Sequence, residues 1–214
     1  MMAKLLSRRE FLRRSCLGAA AAGCFPAADR LLENDSLPLG RITATSVQVW
    51  KKPGKDAEAA YSIQRDQLVQ LYEPIEVDGY RNPLWYRVWG GYVHSARVQP
   101  VEFNYQPFVA DIPEGGCLFE VSVPYTRSYR LERGEWVKNY RLYYGSTHWV
   151  SGRNPGPDGE DWYEVIDSYA RSYYVRPEHL RRVDPVELAP IAPDVPRNQK
   201  WIEISIEDQD LTAY

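Results

Sequence analysis

The sequence predicts a mainly β protein in which one small module occurs twice in tandem, and three observations carry that prediction. Beyond about the first thirty residues, no apolar pattern of helical period runs for three turns. Sixteen Pro and 14 Gly separate many short aromatic or β-branched runs, the alternation of strands and turns that all-β modules need. The third observation is an internal repeat: Trp85-Tyr86-Arg87-Val88 returns as Trp162-Tyr163-Glu164-Val165.

The first element, residues 1–28, is an address. Ser7-Arg8-Arg9-Glu10-Phe11-Leu12-Arg13 precedes a weakly apolar, Ala- and Gly-rich stretch from Cys16 to Cys24. A charged start, a short apolar core and small residues define a signal peptide, and the core is too short to span about 30 Å of hydrocarbon. The S-R-R-x-F-L pattern on Arg8, Arg9, Phe11 and Leu12 resembles the twin-arginine export signal. That resemblance implies export by the twin-arginine machinery and a place in the cell envelope or another extracytoplasmic site. Two processing routes stay open. Ala20-Ala21-Ala22 suits an A-x-A cleavage, whereas Ala21-Ala22-Gly23-Cys24 resembles a lipobox, with Ala21 where Leu is usual. Cys24 is therefore a candidate lipidation site, and acylation there would anchor the chain to a membrane. Membrane contact is otherwise expected only through the signal itself. A linker, 29–39, carries Asn34, Asp35, Ser36 and Pro38.

The two modules follow, at 40–101 and 117–184, with a linker at 102–116. Each W-Y-x-V run is followed by a Tyr-Val pair, Tyr92-Val93 and Tyr174-Val175. From those pairs the copies match without gaps: Val98 and Val101 correspond to Leu180 and Val183. The second copy has five extra residues between Val165 and Tyr174, read as a longer loop at Ser168–Ser172, and its middle is expanded over Gly145–Asp161. Upstream, Ile42–Val47 parallels Phe119–Val123 as an opening strand. Trp and Val facing inward, with Tyr and Arg outward, suit a small barrel filled by its own side chains. The arrangement resembles the bacterial SH3-like domain, which implies two small SH3-like barrels. There, a W-Y-x-V strand turns tightly into Gly91-Tyr92-Val93, and one helical turn at His94-Ser95-Ala96-Arg97 leads to a last strand.

Charge and chemistry narrow the function. Setting aside the first 24 residues leaves 21 basic and 28 acidic side chains, a net charge of −7. So acidic a chain is a poor partner for nucleic acid. Outside the signal the only cysteine is Cys117, and no Cys/His cluster has zinc spacing, so no disulfide, metal or cofactor is expected. Three histidines, His94, His148 and His179, are read as strand- and turn-borne polar residues. His148 sits beside Ser146 and Thr147, but a nucleophile and its base usually meet through the fold, not in sequence. The acidic run Asn154–Asp161 lacks the spacing of a calcium loop and reads as a turn-rich hairpin loop. Cys117 follows Glu114-Gly115-Gly116 and reads as a small, partly buried thiol. No glycine-rich phosphate loop leads from a strand into a helix.

The last two elements point elsewhere. Pro185, Pro190, Pro193 and Pro196 make 185–199 a semi-rigid, extended linker. In 200–214, apolar residues alternate at Ile202, Ile204 and Ile206, a polar turn follows, and Leu211 and Ala213 resume the alternation, which predicts a β-hairpin. The Lys200-Trp201-Ile202-Glu203-Ile204 strand, followed by Gln209-Asp210-Leu211-Thr212-Ala213-Tyr214, resembles the opening hairpin of the L,D-transpeptidase catalytic domain. The order of signal, SH3-like modules, Pro-rich linker and β domain also resembles that family. It implies an exported enzyme that cross-links peptidoglycan, with the modules binding or positioning the wall or its stem peptides. The family's catalytic Cys and His stand in a downstream S-H-G-C-x-R motif and an upstream His that this sequence lacks. No catalytic residue is assigned, and the chain as given is expected to be an inactive, truncated N-terminal part. Alternatives are a stand-alone exported wall-binding protein with SH3-like domains, or the targeting region of another wall peptidase or amidase.

Overall fold

The structure, a computed structural model, describes residues 38–54, 56–80, 82–205 and 210–214, all within a unit that begins at Leu37. Arg8, Arg9, Phe11, Leu12 and Cys24 lie outside the described residues. Strands make up about half of the described residues and no α-helix occurs among them, so the protein is mainly β.

In the first module the strands are β1 (Leu39–Ile42), β2 (Ser46–Trp50), β3 (Ala59–Gln64), β4 (Leu68–Gln70), β5 (Pro74–Glu76), β6 (Leu84–Val88), β7 (Gly91–His94) and β8 (Val98–Val101). They form two antiparallel sheets, ordered β4-β1-β8 and β3-β2-β7-β6-β5. The second module has β9 (Cys117–Val121), β10 (Tyr125–Glu132), β11 (Glu135–Tyr143), β12 (Thr147–Pro155), β13 (Asp161–Ile166), β14 (Ser172–Val175) and β15 (Leu180–Arg182). These form one sheet, ordered β11-β10-β14-β13-β12-β9-β15.

The two orders are the same once β12 is set against β5 and β4 together. The nine-residue β12 pairs with β9 over Thr147–Val150 and with β13 over Trp149–Pro155, with a bulge between Val150 and Gly152. In the first module this strand is broken at residues 71–73. Leu71 turns into the core, and β5 restarts at Pro74, which has no N–H for the ladder. The register repeats as well: Tyr86 faces Val93 and Arg87 faces Tyr92, while Tyr163 faces Val175 and Glu164 faces Tyr174.

None of the sheets closes into a barrel. The ladder nearly parts in each module, where one residue pair joins β2 to β7 (Trp50 with Tyr92) and one joins β10 to β14 (Tyr129 with Tyr174). The edge strands β3, β8, β11 and β15 each keep one side unpaired within their sheets.

Inward residues form one core per module. Ile42, Val47, Val49, Ile63, Leu71, Val88, Val93 and Val98 fill the first. Phe119, Val121, Val123, Leu142, Val150, Tyr163, Val165, Tyr173, Val175 and Leu180 fill the second. Trp85 and Trp162 are also buried at matching places. Their indole N–H groups differ: Trp162 donates to Asp158 at 2.8 Å, whereas the buried Nε1 of Trp85 has no hydrogen-bond partner among the described residues.

A 3₁₀ turn follows β7 at Ser95–Arg97, capped by His94 Nδ1 accepting from the Ala96 amide at 3.3 Å, and another follows β14 at Pro177–His179. Segment 102–116 is pinned to the second module. The Asn104 amide donates to Ser122 O, the Gln106 amide to Glu178 O, and the Val109 amide to the Tyr163 hydroxyl at 2.8 Å, while Phe108 stacks on the Tyr163 ring. Beyond β15, Asp184 caps a 3₁₀ turn at Pro185–Leu188, and a hairpin pairs β16 (Ile202–Ser205) with β17 (Asp210–Ala213). Trp201 stacks on Tyr214 across its open end.

Candidate functional site

The sequence-derived candidates for chemistry occupy structural places. Ser146 Oγ donates to Tyr143 O at 2.6 Å, because a carbonyl can only accept. That hydroxyl therefore accepts from His148 Nε2–H at 2.9 Å, and His148 Nδ1 accepts from the Tyr173 hydroxyl at 3.0 Å. Burial holds His148 below the usual histidine range and pushes Tyr173 well above the usual tyrosine range. A hydroxyl whose proton is committed to a carbonyl, beside a neutral imidazole already donating to it, is not an activated nucleophile.

His179 meets Thr126 Oγ1 at 2.7 Å and packs against Tyr105; burial lowers its pKa, opposed by Glu178. His94 packs edge-on against Trp85 and contacts Asn82 O through Nε2 at 2.9 Å. Cys117 is half-buried against the second core. Its thiol is pushed up by burial, with Arg182 opposing and Asp111 adding, so it stays protonated near neutrality.

Two of the three carboxylates of the 154–161 run, Asp158 and Asp161, are spent on neighbours. Asp158 takes the Trp162 indole and the Glu160 amide, and pairs with Arg176 at 3.0 Å; Asp161 pairs with Arg153. Arg176 lies 5.0 Å from the indole centroid, and the expanded loop packs on Trp162 through Asp158 and through Gly156, where a Cβ would come within 2.3 Å of the indole. Among the described residues no group of three or more His, Cys, Asp or Glu is placed to hold a metal ion.

One polar network joins the modules. Asp66, buried and held at φ +66°, accepts from Arg41 at 2.9 Å and from Arg141 of the second module. Arg41 also donates to Gln99 at 2.7 Å and lies 4.2 Å from the Tyr143 ring centroid, and Gln99 donates to Tyr144 O at 3.0 Å. The Asp66 hydrogen bond holds Arg141 above the usual arginine range. Every charge here is answered from within the chain, so this is a docking seam and not a ligand site.

One surface with polar groups left unanswered among the described residues is a cleft of about 470 Å³ on the first module, lined by Lys51, Tyr72, Arg87, Trp89 and Tyr92. Register builds it. Arg87 and Tyr92 face each other across β6 and β7, which puts both side chains on one face. The Tyr72 amide donates to Arg87 O at 2.9 Å, setting Tyr72 on the other flank. Trp89 and Gly90 form the β6–β7 turn, with Gly90 at φ +74°. Gly91 lies so close to β2 that a Cβ there would come within 2.4 Å of Trp50 O. The Tyr61 hydroxyl clamps the turn by donating to Trp89 O, leaving the Trp89 side chain 81% exposed.

The sequence pattern put the Trp and Val of the W-Y-x-V run inward and its Tyr and Arg outward, but did not single out this face. The available signal was the one polar position inside that run, Arg87, followed by an aromatic residue at the turn. No protein-family model and no curated protein matches the chain.

Proposed function

We propose that this chain is the non-catalytic, wall-binding part of an exported protein of the L,D-transpeptidase type, acting in peptidoglycan cross-linking and cell-wall organisation. Its two β modules are read as SH3-like, and the first offers the binding surface. The observation that carries the reading is the cleft on the first module. An exposed indole and two half-buried tyrosine rings line it beside an exposed arginine, outside the core cluster of the module. Aromatic faces of this kind stack on sugar rings and peptide bonds while their polar tips stay hydrated. The twin-arginine pattern at Arg8 and Arg9, the Pro-rich segment and the Ile202–Ala213 hairpin supply the link to an exported wall enzyme. The Ser146–His148 pair and Cys117 are held in unreactive states, which also favours a binding role for the modules.

The test is co-sedimentation of the purified chain with insoluble peptidoglycan. Retention is expected, and Trp89→Ala with Tyr92→Ala should reduce it at least about tenfold, since aromatic anchors dominate such surfaces. Retention no better than that of a tag-only control would overturn the reading.

A further inference from the structure

We propose that the cleft on the first module recognises a free carboxylate, with Arg87 as the receptor group. The site rests on the wall-binding reading for its biological ligand, a peptide stem ending in a carboxylate, but its chemistry rests on the residues themselves.

Arg87 is exposed, and among the described residues it makes no ion pair and no side-chain hydrogen bond. Its charge is met only by the Tyr72 ring, whose centroid lies 5.7 Å from the guanidinium carbon. Many arginines of the second module are instead neutralised: Arg141 by Asp66, Arg153 by Asp161, Arg171 by Asp167, and Arg181 by Glu120 and Glu187. The other cation of the cleft, Lys51, is tied to Glu58 at 2.6 Å. One unanswered guanidinium therefore sets the sign of the site.

Three further groups in the cleft have no partner among the described residues: the Tyr72 and Tyr92 hydroxyls and the Trp89 indole N–H. Arg87 is flanked by Tyr72 and by its cross-strand neighbour Tyr92, and the planar fork of N–H donors that a guanidinium carries matches the two oxygens of a carboxylate. Trp89, whose backbone carbonyl is held by Tyr61, offers an exposed aromatic face for the body of the same ligand. At the matching position the second module carries Glu164, which faces Tyr174 and accepts from Asn154 at 2.8 Å. The two copies therefore differ in charge at one register position, and only the first is suited to an anion.

The test is titration of the full chain with a synthetic N-acetylated peptide of stem composition ending in a free carboxylate, beside its C-terminal amide. Amide and Trp89 indole N–H chemical shifts report binding. The acid form should bind about 10- to 100-fold tighter than the amide, the value of a charge-assisted, two-point contact. Arg87→Gln should abolish that preference at an unchanged melting temperature. Arg87→Lys, which keeps the charge and loses the fork, should keep only a fraction of it. Equal binding of acid and amide, or an unaltered preference in Arg87→Gln, would overturn the proposal even if the chain sediments with walls. A clear acid preference without wall retention would leave the carboxylate site standing and remove the wall reading. Binding that follows phosphate-rich wall polymer, and is lost when that polymer is stripped, would also overturn it.

Discussion

At the scale of single residues, two buried histidines give the protein a pH response with a definite sign. His148 and His179 are held below their ordinary value of 6.5, in both cases chiefly by burial. The unfolded chain thus binds more protons than the folded one once pH falls below about 6.5, and stability must rise with pH across that window. Above it both states hold neutral imidazoles and the dependence levels off. The carboxylates at Asp158, Asp167 and Glu187, lowered by hydrogen bonds and arginine partners, lose their contribution only at more acid pH. Urea midpoints should therefore fall from pH 7.5 to pH 5.5, and His148→Gln with His179→Gln should flatten the curve. A wild-type midpoint as high at pH 5.5 as at 7.5 would show that these histidines are not held neutral. The neutral states follow from burial and hydrogen-bond geometry, which no sequence pattern carries. His148 was visible beside Ser146 and Thr147, but its partner Tyr173 lies 25 residues away, in a different strand.

At the scale of elements, the hairpins show how much the sequence could disclose. The W-Y-x-V and Tyr-Val pairs were legible because a strand with one buried face fixes its register by alternation, and a one-residue slip would turn Trp85 or Trp162 into solvent. The fusion of two strands into β12 was not legible. It depends on whether Leu71 and Pro74 interrupt the ladder, and the second module has no such pair at that place. The β10–β11 hairpin carries a local conflict of its own. Arg133 and Gly134 both take positive φ, 52° and 86°, as a type I′ turn requires. Glycine meets that demand without strain, whereas arginine costs about 1 kcal/mol in the left-handed region. The Arg133 side chain is exposed, so Arg133→Asn should stabilise the protein by roughly that amount, seen as a higher denaturant midpoint with an unchanged slope. Arg133→Val, β-branched at the same place, should do the reverse. A destabilised Arg133→Asn would mean that the Arg133 side chain contributes more than its backbone costs.

For the whole molecule, the seam at Asp66 decides how the modules depend on one another. A module of about 60 residues is marginal alone, and here each has its own core. The contact between them is polar: Asp66 answers a buried Arg41 in its own module and a half-exposed Arg141 in the other. It could not be foreseen, because 75 residues separate Asp66 from Arg141 and neither lies in a pattern. Its energetics are asymmetric. Removing the Asp66 charge leaves Arg41 buried and uncompensated, which costs about 3 kcal/mol or more. Removing Arg141 leaves Asp66 with Arg41 and costs about 1 kcal/mol or less, since water already screens that partner. Asp66→Asn keeps a residue that tolerates the left-handed backbone and so isolates the charge. Amide hydrogen exchange should then show the core amides of β1, β6 and β7 exchanging about a hundredfold faster, while those of β9, β13 and β14 stay near their wild-type rates. Arg141→Ala should change neither set by more than a few-fold. The first module, which carries the cleft, would open alone in Asp66→Asn, and ligand binding would weaken with it although Asp66 does not line the cleft. Equal acceleration in both modules would instead show that the seam makes them a single cooperative unit, and that docking, not the buried charge, holds the first module closed.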